Sequence, residues 1–227
     1  MRIIVIIIIG FFVCLPASAT RVVEDFSTYT EVDAAGTITV TSTRVTSANT
    51  DRNQNTYVYF DKGVNFFDGN FEHWGTYNLT NNALWVGHFW AVTNDVGARS
   101  AWGNSLLIYT GNATDFCLME EDSGSDYPDC YINVTNTDMF VKIIRDESVG
   151  ANGTLYMYIY LEAARTTLLD TLTLTLHTSL KDYRYIYAIA GPNDGVSGRD
   201  FDGYVDSLSL SEAVAAAGGG HRRITED

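Results

Sequence analysis

Polar and apolar residues alternate along this chain with a period of two. Thr37-Ile38-Thr39-Val40-Thr41, Leu155-Tyr156-Met157-Tyr158-Ile159-Tyr160-Leu161 and Thr171-Leu172-Thr173-Leu174-Thr175-Leu176 each send every second side chain to one side of an extended backbone. Such alternation predicts β-strands with one face in a core and the other outside. Threonine and tyrosine, which recur in these runs, suit a pleated, half-buried surface. The same reading predicts strands over residues 57–60, 70–79, 84–92, 106–109, 138–145, 183–189 and 203–210.

Turn chemistry separates these runs. Asn152-Gly153 lies between two of them and suits the positive φ angles of a tight hairpin. Asp68-Gly69, Asp194-Gly195 and Asp202-Gly203 mark further reversals. With 3 prolines in the chain, few strands are barred from pairing. No long stretch carries a helical period, and the alanine-rich segment at 211–217 runs straight into Gly218-Gly219-Gly220. Many short strands and no helices predict an all-β fold, and their number favours a two-sheet antiparallel sandwich over a barrel.

The N-terminus follows a different pattern. Met1-Arg2 is basic, an apolar run extends from Ile3 to Leu15, and Pro16-Ala17-Ser18-Ala19 supplies small residues. That order reads as a secretory signal over 1–19, cut ahead of Thr20. A membrane anchor is the other reading, but the run is shorter than the roughly 20 residues a spanning helix needs. The expected organisation is therefore a leader at 1–19, one β-sandwich at 20–211 and an Ala/Gly-rich, charged tail at 212–227. It implies a secreted or cell-surface protein with no membrane span in its mature chain.

Charge and cysteine usage sharpen this picture. The net charge of -14 repels phosphate backbones and argues against nucleic acid as a partner. It is compatible with solubility outside cells, or with carboxylates that hold calcium. Cys14 falls within the leader, leaving Cys117 and Cys130 as an even pair that predicts one disulfide.

Two stretches carry a family resemblance. Phe201-Asp202-Gly203-Tyr204-Val205-Asp206-Ser207-Leu208-Ser209-Leu210 resembles the closing strand of laminin-G-like and concanavalin A-like domains. Met139-Phe140-Val141-Lys142-Ile143-Ile144-Arg145-Asp146, followed by the runs at 153–160 and 168–172, is similar to that superfamily's central meander. The resemblance spans about residues 25–211 and implies a concanavalin A-like jelly roll. Members of that superfold often bind carbohydrate, sometimes with calcium, and some are catalytic or adhesive.

The candidate chemistry is sparse. Glu31-Val32-Asp33 matches the start of the E-x-D-x-x-E pattern of β-glucan-cleaving enzymes of this superfold, but Gly36 stands where the third carboxylate belongs. Asp33-Ala34-Ala35-Gly36 reads instead as a turn. Glu72 and His73 are strand neighbours that point to opposite faces, although strand pairing could bring His73 near His88. No nucleophile triad can be placed, so no catalytic residue is assigned. Asn193, Asp194, Asp200 and Asp202 cluster oxygen donors before the last strand and are the calcium candidates. Glu120, Glu121, Asp122, Asp126 and Asp129 form a second acidic cluster inside the expected disulfide loop. Trp90, Tyr156, Tyr158, Tyr160 and Tyr185 are the candidate ligand-binding residues, since sugars stack their C–H faces on aromatic rings. Tyr183 and Tyr187 share the predicted face of Tyr185, and Trp74, Trp85 and Trp102 add large flat surfaces. The structural alternative is that aromatic pairs simply stabilise sheets. Asn78, Asn112, Asn133 and Asn152 begin N-x-S/T sequons. The leading reading is a non-catalytic, lectin-like carbohydrate-binding domain. A structural or adhesive surface protein and a diverged glycoside hydrolase are the alternatives.

Overall fold

The computed structural model describes residues 21–82, 87–110, 115–132, 136–179 and 182–212. The expected leader, Trp85, Asn112, Asn133 and the tail beyond Glu212 lie outside them.

Among the described residues, fifteen strands build two antiparallel sheets, an open sandwich. The eight-stranded sheet contains β1 (Val22–Val23), β3 (Ile38–Val40), β4 (Arg44–Asp51), β6 (Phe71–Asn82), β11 (Met139–Asp146), β12 (Thr154–Tyr160), β13 (Leu168–Thr175) and β15 (Asp200–Glu212). Its order is β13-β12-β11-β6-β15-β4-β3, with β1 paired to the end of β15. The seven-stranded sheet contains β2 (Thr30–Val32), β5 (Tyr57–Asp61), β7 (His88–Thr93), β8 (Asn104–Thr110), β9 (Asp115–Asp122), β10 (Ser125–Ile132) and β14 (Tyr185–Ala190). They run in the order β10-β9-β8-β7-β14-β5-β2.

The period-two runs face as the pattern requires. Val141 and Ile143 of β11, Leu155, Met157 and Ile159 of β12 and Leu172 and Leu174 of β13 turn inward, while Tyr156, Tyr158 and Tyr160 turn out. They meet Val92, Leu106, Ile108, Phe116, Leu118 and Ile186 of the other sheet in one core. Gly75 interrupts the inward residues of β6 because Tyr77 fills its place; a Cβ there would come within 2.8 Å of the Tyr77 hydroxyl oxygen.

Several strands escape a hydrophobic reading. The inward positions of β4 are Val45, Ser47 and Thr50, two of them hydroxylic, with Ser47 donating to the Phe201 carbonyl. β9 is buried on both faces, so it shows a continuous apolar run rather than an alternation. β10 is an edge strand, which is why it accommodates Pro128.

Those last two strands form a hairpin in which Cys117 and Cys130 are directly opposite and disulfide-bonded. The second acidic cluster is therefore not a loop. Glu120 is fully buried and accepts from the His177 and Thr178 backbone N–H groups at 2.7 and 2.9 Å. Asp129 accepts from the Thr173 N–H of β13, capping part of that sheet edge.

Candidate functional site

One of the aromatic candidates, Trp90, and one residue expected beside Tyr185, Tyr183, are core residues. Trp90 is fully buried between the sheets and donates its indole N–H to His73 Nδ1 at 3.2 Å, so no ligand reaches it. Tyr183 is also fully buried, because β14 begins only at Tyr185 and the preceding segment turns inward to pair with Phe67. His73 lies buried against Trp90 between the sheets and His88 lines a pocket beyond the seven-stranded sheet, so the two are not brought together. Asp33 accepts from the Ile38 N–H at 2.6 Å in the turn that the sequence suggested.

Tyr185 and Tyr187 remain together on the outer face of the seven-stranded sheet, joined there by Tyr57 and Tyr59 of β5. Tyr59 stacks on Tyr187 with centroids 5.5 Å apart and meets Tyr185 edge-on at 5.8 Å. Tyr57 and Tyr59 follow the same alternation and could have been found by it; pairing β5 with β14 is what unites the four rings.

A loop over residues 94–103 folds across one part of this face. Tyr187 anchors it by donating to the Asp95 carbonyl and accepting from the Gly97 N–H. Trp102 packs on Tyr187 at 4.8 Å and donates its indole N–H to the Gly97 carbonyl. The Arg99 and Ser100 N–H groups then donate to the Gly191 and Pro192 carbonyls, joining this loop to the β14–β15 connection. The Asn193 N–H donates to the Arg52 carbonyl, adding a third segment.

Where these segments meet there is a half-open pocket of about 120 Å³, lined by charged, polar and apolar residues. Arg52, Arg99, Asp126 and Asp194 supply charge, His88 and Tyr109 supply neutral polar groups, and Met119 and Pro192 are apolar. Arg52 Nε donates to Asp194 Oδ2 at 2.8 Å, and this pairing holds the Asp194 carboxyl below its ordinary range. Arg99 donates to Asp126 at 2.7 Å and lies 3.5 Å from Glu121, while its own Nε has no partner among the described residues. Burial raises the Glu121 carboxyl, an effect that Arg99 opposes. Burial likewise raises the Tyr109 phenol, which stays neutral.

His88 is the most constrained of these groups. Burial, reinforced by Arg99, pushes it down to about 3, so the ring is neutral. Its Nδ1 lies 3.0 Å from the Ala190 carbonyl, which can only accept. Nδ1 therefore carries the proton and Nε2 is left as an acceptor.

The calcium candidates do not converge. Asp194 is engaged by Arg52, Asp202 accepts from the Asn49 N–H, and Asp200 lies in β15. Among the described residues no three acidic, histidine or cysteine side chains gather as a ligand set. The Asp194 carboxylate is already paired with the Arg52 guanidinium.

Tyr156, Tyr158 and Tyr160 lie on the outer face of the other sheet, away from this pocket. Asn78 is buried in β6 and donates to Asp138 at 2.6 Å, which withholds that sequon from the surface of the folded chain. Asn152 is half-exposed in the β11–β12 turn, where Gly153 takes φ +95°.

No protein-family model matches the chain, and no curated protein matches it. Among solved structures it is similar to the legume lectin-like domain of Entamoeba histolytica, at 14% identity and TM-score 0.54, covering 81% of this chain and 89% of that one. It is also similar to the exoplasmic/lumenal domain of VIP36 in its calcium-bound form, at 14% identity and TM-score 0.53, over 85% of this chain and 89% of that one. The form of that domain bound to calcium and Man3GlcNAc matches at 15% identity and TM-score 0.51, over 81% of this chain and 82% of that one. The chain has a concanavalin A-like jelly-roll fold.

Proposed function

We propose that this protein is a secreted, non-catalytic carbohydrate-binding protein that holds a neutral glycan at the pocket formed by Arg52, His88, Arg99, Tyr109, Asp126 and Asp194. The carrying observation is the composition of that pocket. A sugar hydroxyl both donates and accepts, and here guanidinium donors, carboxylate acceptors and a neutral imidazole acceptor lie within one small depression. Met119 and the Tyr109 ring provide the apolar surface that a sugar's C–H face needs. At about 120 Å³ the pocket admits the edge of a sugar ring.

The reading of a leader at 1–19 supports export, and the fold shared with the VIP36 domain, which is bound to a mannose-containing glycan in one of its structures, supports the ligand class. Binding here needs no calcium, because Arg52 supplies the positive charge beside Asp194. The test is a glycan array probed with the exported protein in calcium and in chelator, alongside Arg99→Met and Asp194→Asn. Equal binding in both buffers, weakened by either substitution, supports the proposal. Binding that is unchanged in both variants overturns the site.

A further inference from the structure

The outer face of the eight-stranded sheet carries an unusual group of cations. Elsewhere Arg44, Arg52, Lys62, Arg99, Arg145 and Arg184 each lie against a carboxylate. Arg21, Lys142 and Arg165 instead gather on one indole. Their charged ends lie 4.6, 5.7 and 4.8 Å from the centre of the Trp74 ring. Among the described residues no carboxylate lies within ion-pair distance of any of the three. Glu72, on the same face, accepts the Trp74 indole N–H. In a chain of net charge -14, three cations gathered on one ring with no ion pair among the described residues run against the molecule's overall field.

Arg165 is held in place by a built loop. Its backbone takes φ +53°, a left-handed conformation that costs a non-glycine residue on the order of 1 kcal/mol. The Glu162 carboxylate enforces this turn by accepting from the Thr166 and Thr167 N–H groups, both at 2.8 Å. The guanidinium then reaches the Gly75 carbonyl at 3.1 Å and stacks near Phe140, while its buried Nε is left without a partner. Burial and the neighbouring Arg21 charge both disfavour this cation, so an anion between the two guanidiniums relieves a cost already present. Between them opens a pocket of about 320 Å³ lined by Arg21, Trp74, Phe140, Arg165, Ser207 and Ser209. That size lies at the small end of ligand sites, roughly 300–1,000 Å³.

We propose that this cleft is a second ligand site, which takes a saccharide bearing a carboxylate or sulfate group. Arg21 and Arg165 hold the anion, the serines meet hydroxyls, and Trp74 and Phe140 contact the apolar body of the sugar. Lys142, poised between Trp74 and Tyr158, extends the positive rim towards the tyrosine row of β12. The saccharide class is taken from the function proposed above; the anion site stands on its own geometry.

The test uses the exported full chain and three matched disaccharides, one sulfated, one carrying a uronate and one neutral, with binding followed by calorimetry. Arg165→Gly removes the cation from a position whose backbone conformation glycine adopts freely, and Lys142→Glu reverses a rim charge without touching the loop. Binding of the sulfated or uronate sugar, at least about tenfold weaker in each variant and weakened by added salt, supports the proposal, and the stronger of the two identifies the anion. Thermal melts establish that both variants are folded. Neutral-sugar binding as tight as that of the anionic sugars in an Arg99→Met background, or unaltered affinity in both folded variants, overturns it, as does capture of phosphatidylserine vesicles with no binding of either anionic sugar. Arg99 and Asp194 lie in the 94–103 loop and the β14–β15 connection and line the other pocket, so loss of neutral-glycan binding on Arg99→Met or Asp194→Asn leaves this result independent.

Discussion

His88 contributes a measurable pH dependence. The unfolded chain takes a proton at this residue near pH 6.5, whereas the folded ring takes one only near 3. The unfolded state therefore binds more protons between those values, and the contribution of His88 to stability is complete above the upper value. It falls as pH drops through the window, by about 1.4 kcal/mol per pH unit. In His88→Asn the amide replaces the Nδ1–H donor to Ala190 without titrating. Urea melts from pH 7 to 4 should show a shallower decline in this variant than in the parent; parallel curves would refute the assignment. At this scale the sequence was only partly legible. Tyr185 could be placed on an outer face from alternation, but Tyr183 could not, because the start of its strand depends on where β14 meets β5. Arg52 and Arg99 carried no local signal. They acquire a role only when loops far apart in sequence are joined through the Gly191 and Asn193 backbone.

At the scale of elements, alternation was the most informative feature, and it failed where its physical basis is absent. The strands β11, β12 and β13 are half-buried and were readable; β9 is buried on both faces, and its acidic end resembled a solvated loop. The β9–β10 hairpin is closed by the disulfide across a sequence separation of 13 residues. On a chain-entropy argument its removal costs about 3 kcal/mol. Chemical denaturation of Cys117→Ala/Cys130→Ala should show that loss, and an unchanged midpoint would mean that the hairpin is held by its other contacts alone. Gly75→Ala tests the packing of β6. The added methyl meets the Tyr77 ring, and the expected destabilisation is about 1–3 kcal/mol, read from the same melts. The strand β13 lies at a sheet edge, where the Asp129 carboxylate occupies the Thr173 N–H. A charged cap on an edge disfavours strand addition and weighs against an adhesive role through that strand.

At the scale of the molecule, two sheet faces divide the surface chemistry. The seven-stranded sheet carries a tyrosine cluster that leads to a pocket of mixed charge, where each arginine is matched by a carboxylate. The eight-stranded sheet carries a tyrosine row beside Arg21, Lys142 and Arg165, which gather on the Trp74 ring rather than in ion pairs among the described residues. The sandwich itself was legible because a two-sheet fold repeats one simple pattern many times. The division between faces was not, since it depends on strand order, and that order interleaves segments from both ends of the chain. Net negative charge outside the cationic cleft keeps polyanions from binding indiscriminately, so any anionic ligand is selected at that cleft rather than by the surface as a whole.

The most direct test of the central claim is the glycan array, probed with the exported protein and with Arg99→Met and Asp194→Asn, in calcium and in chelator. The account predicts that a set of neutral glycans is bound equally in both buffers. It also predicts that each substitution weakens binding by about tenfold or more, as expected when a charge-assisted hydrogen bond is lost. Silence across the neutral glycans, or binding indifferent to both substitutions, would contradict it.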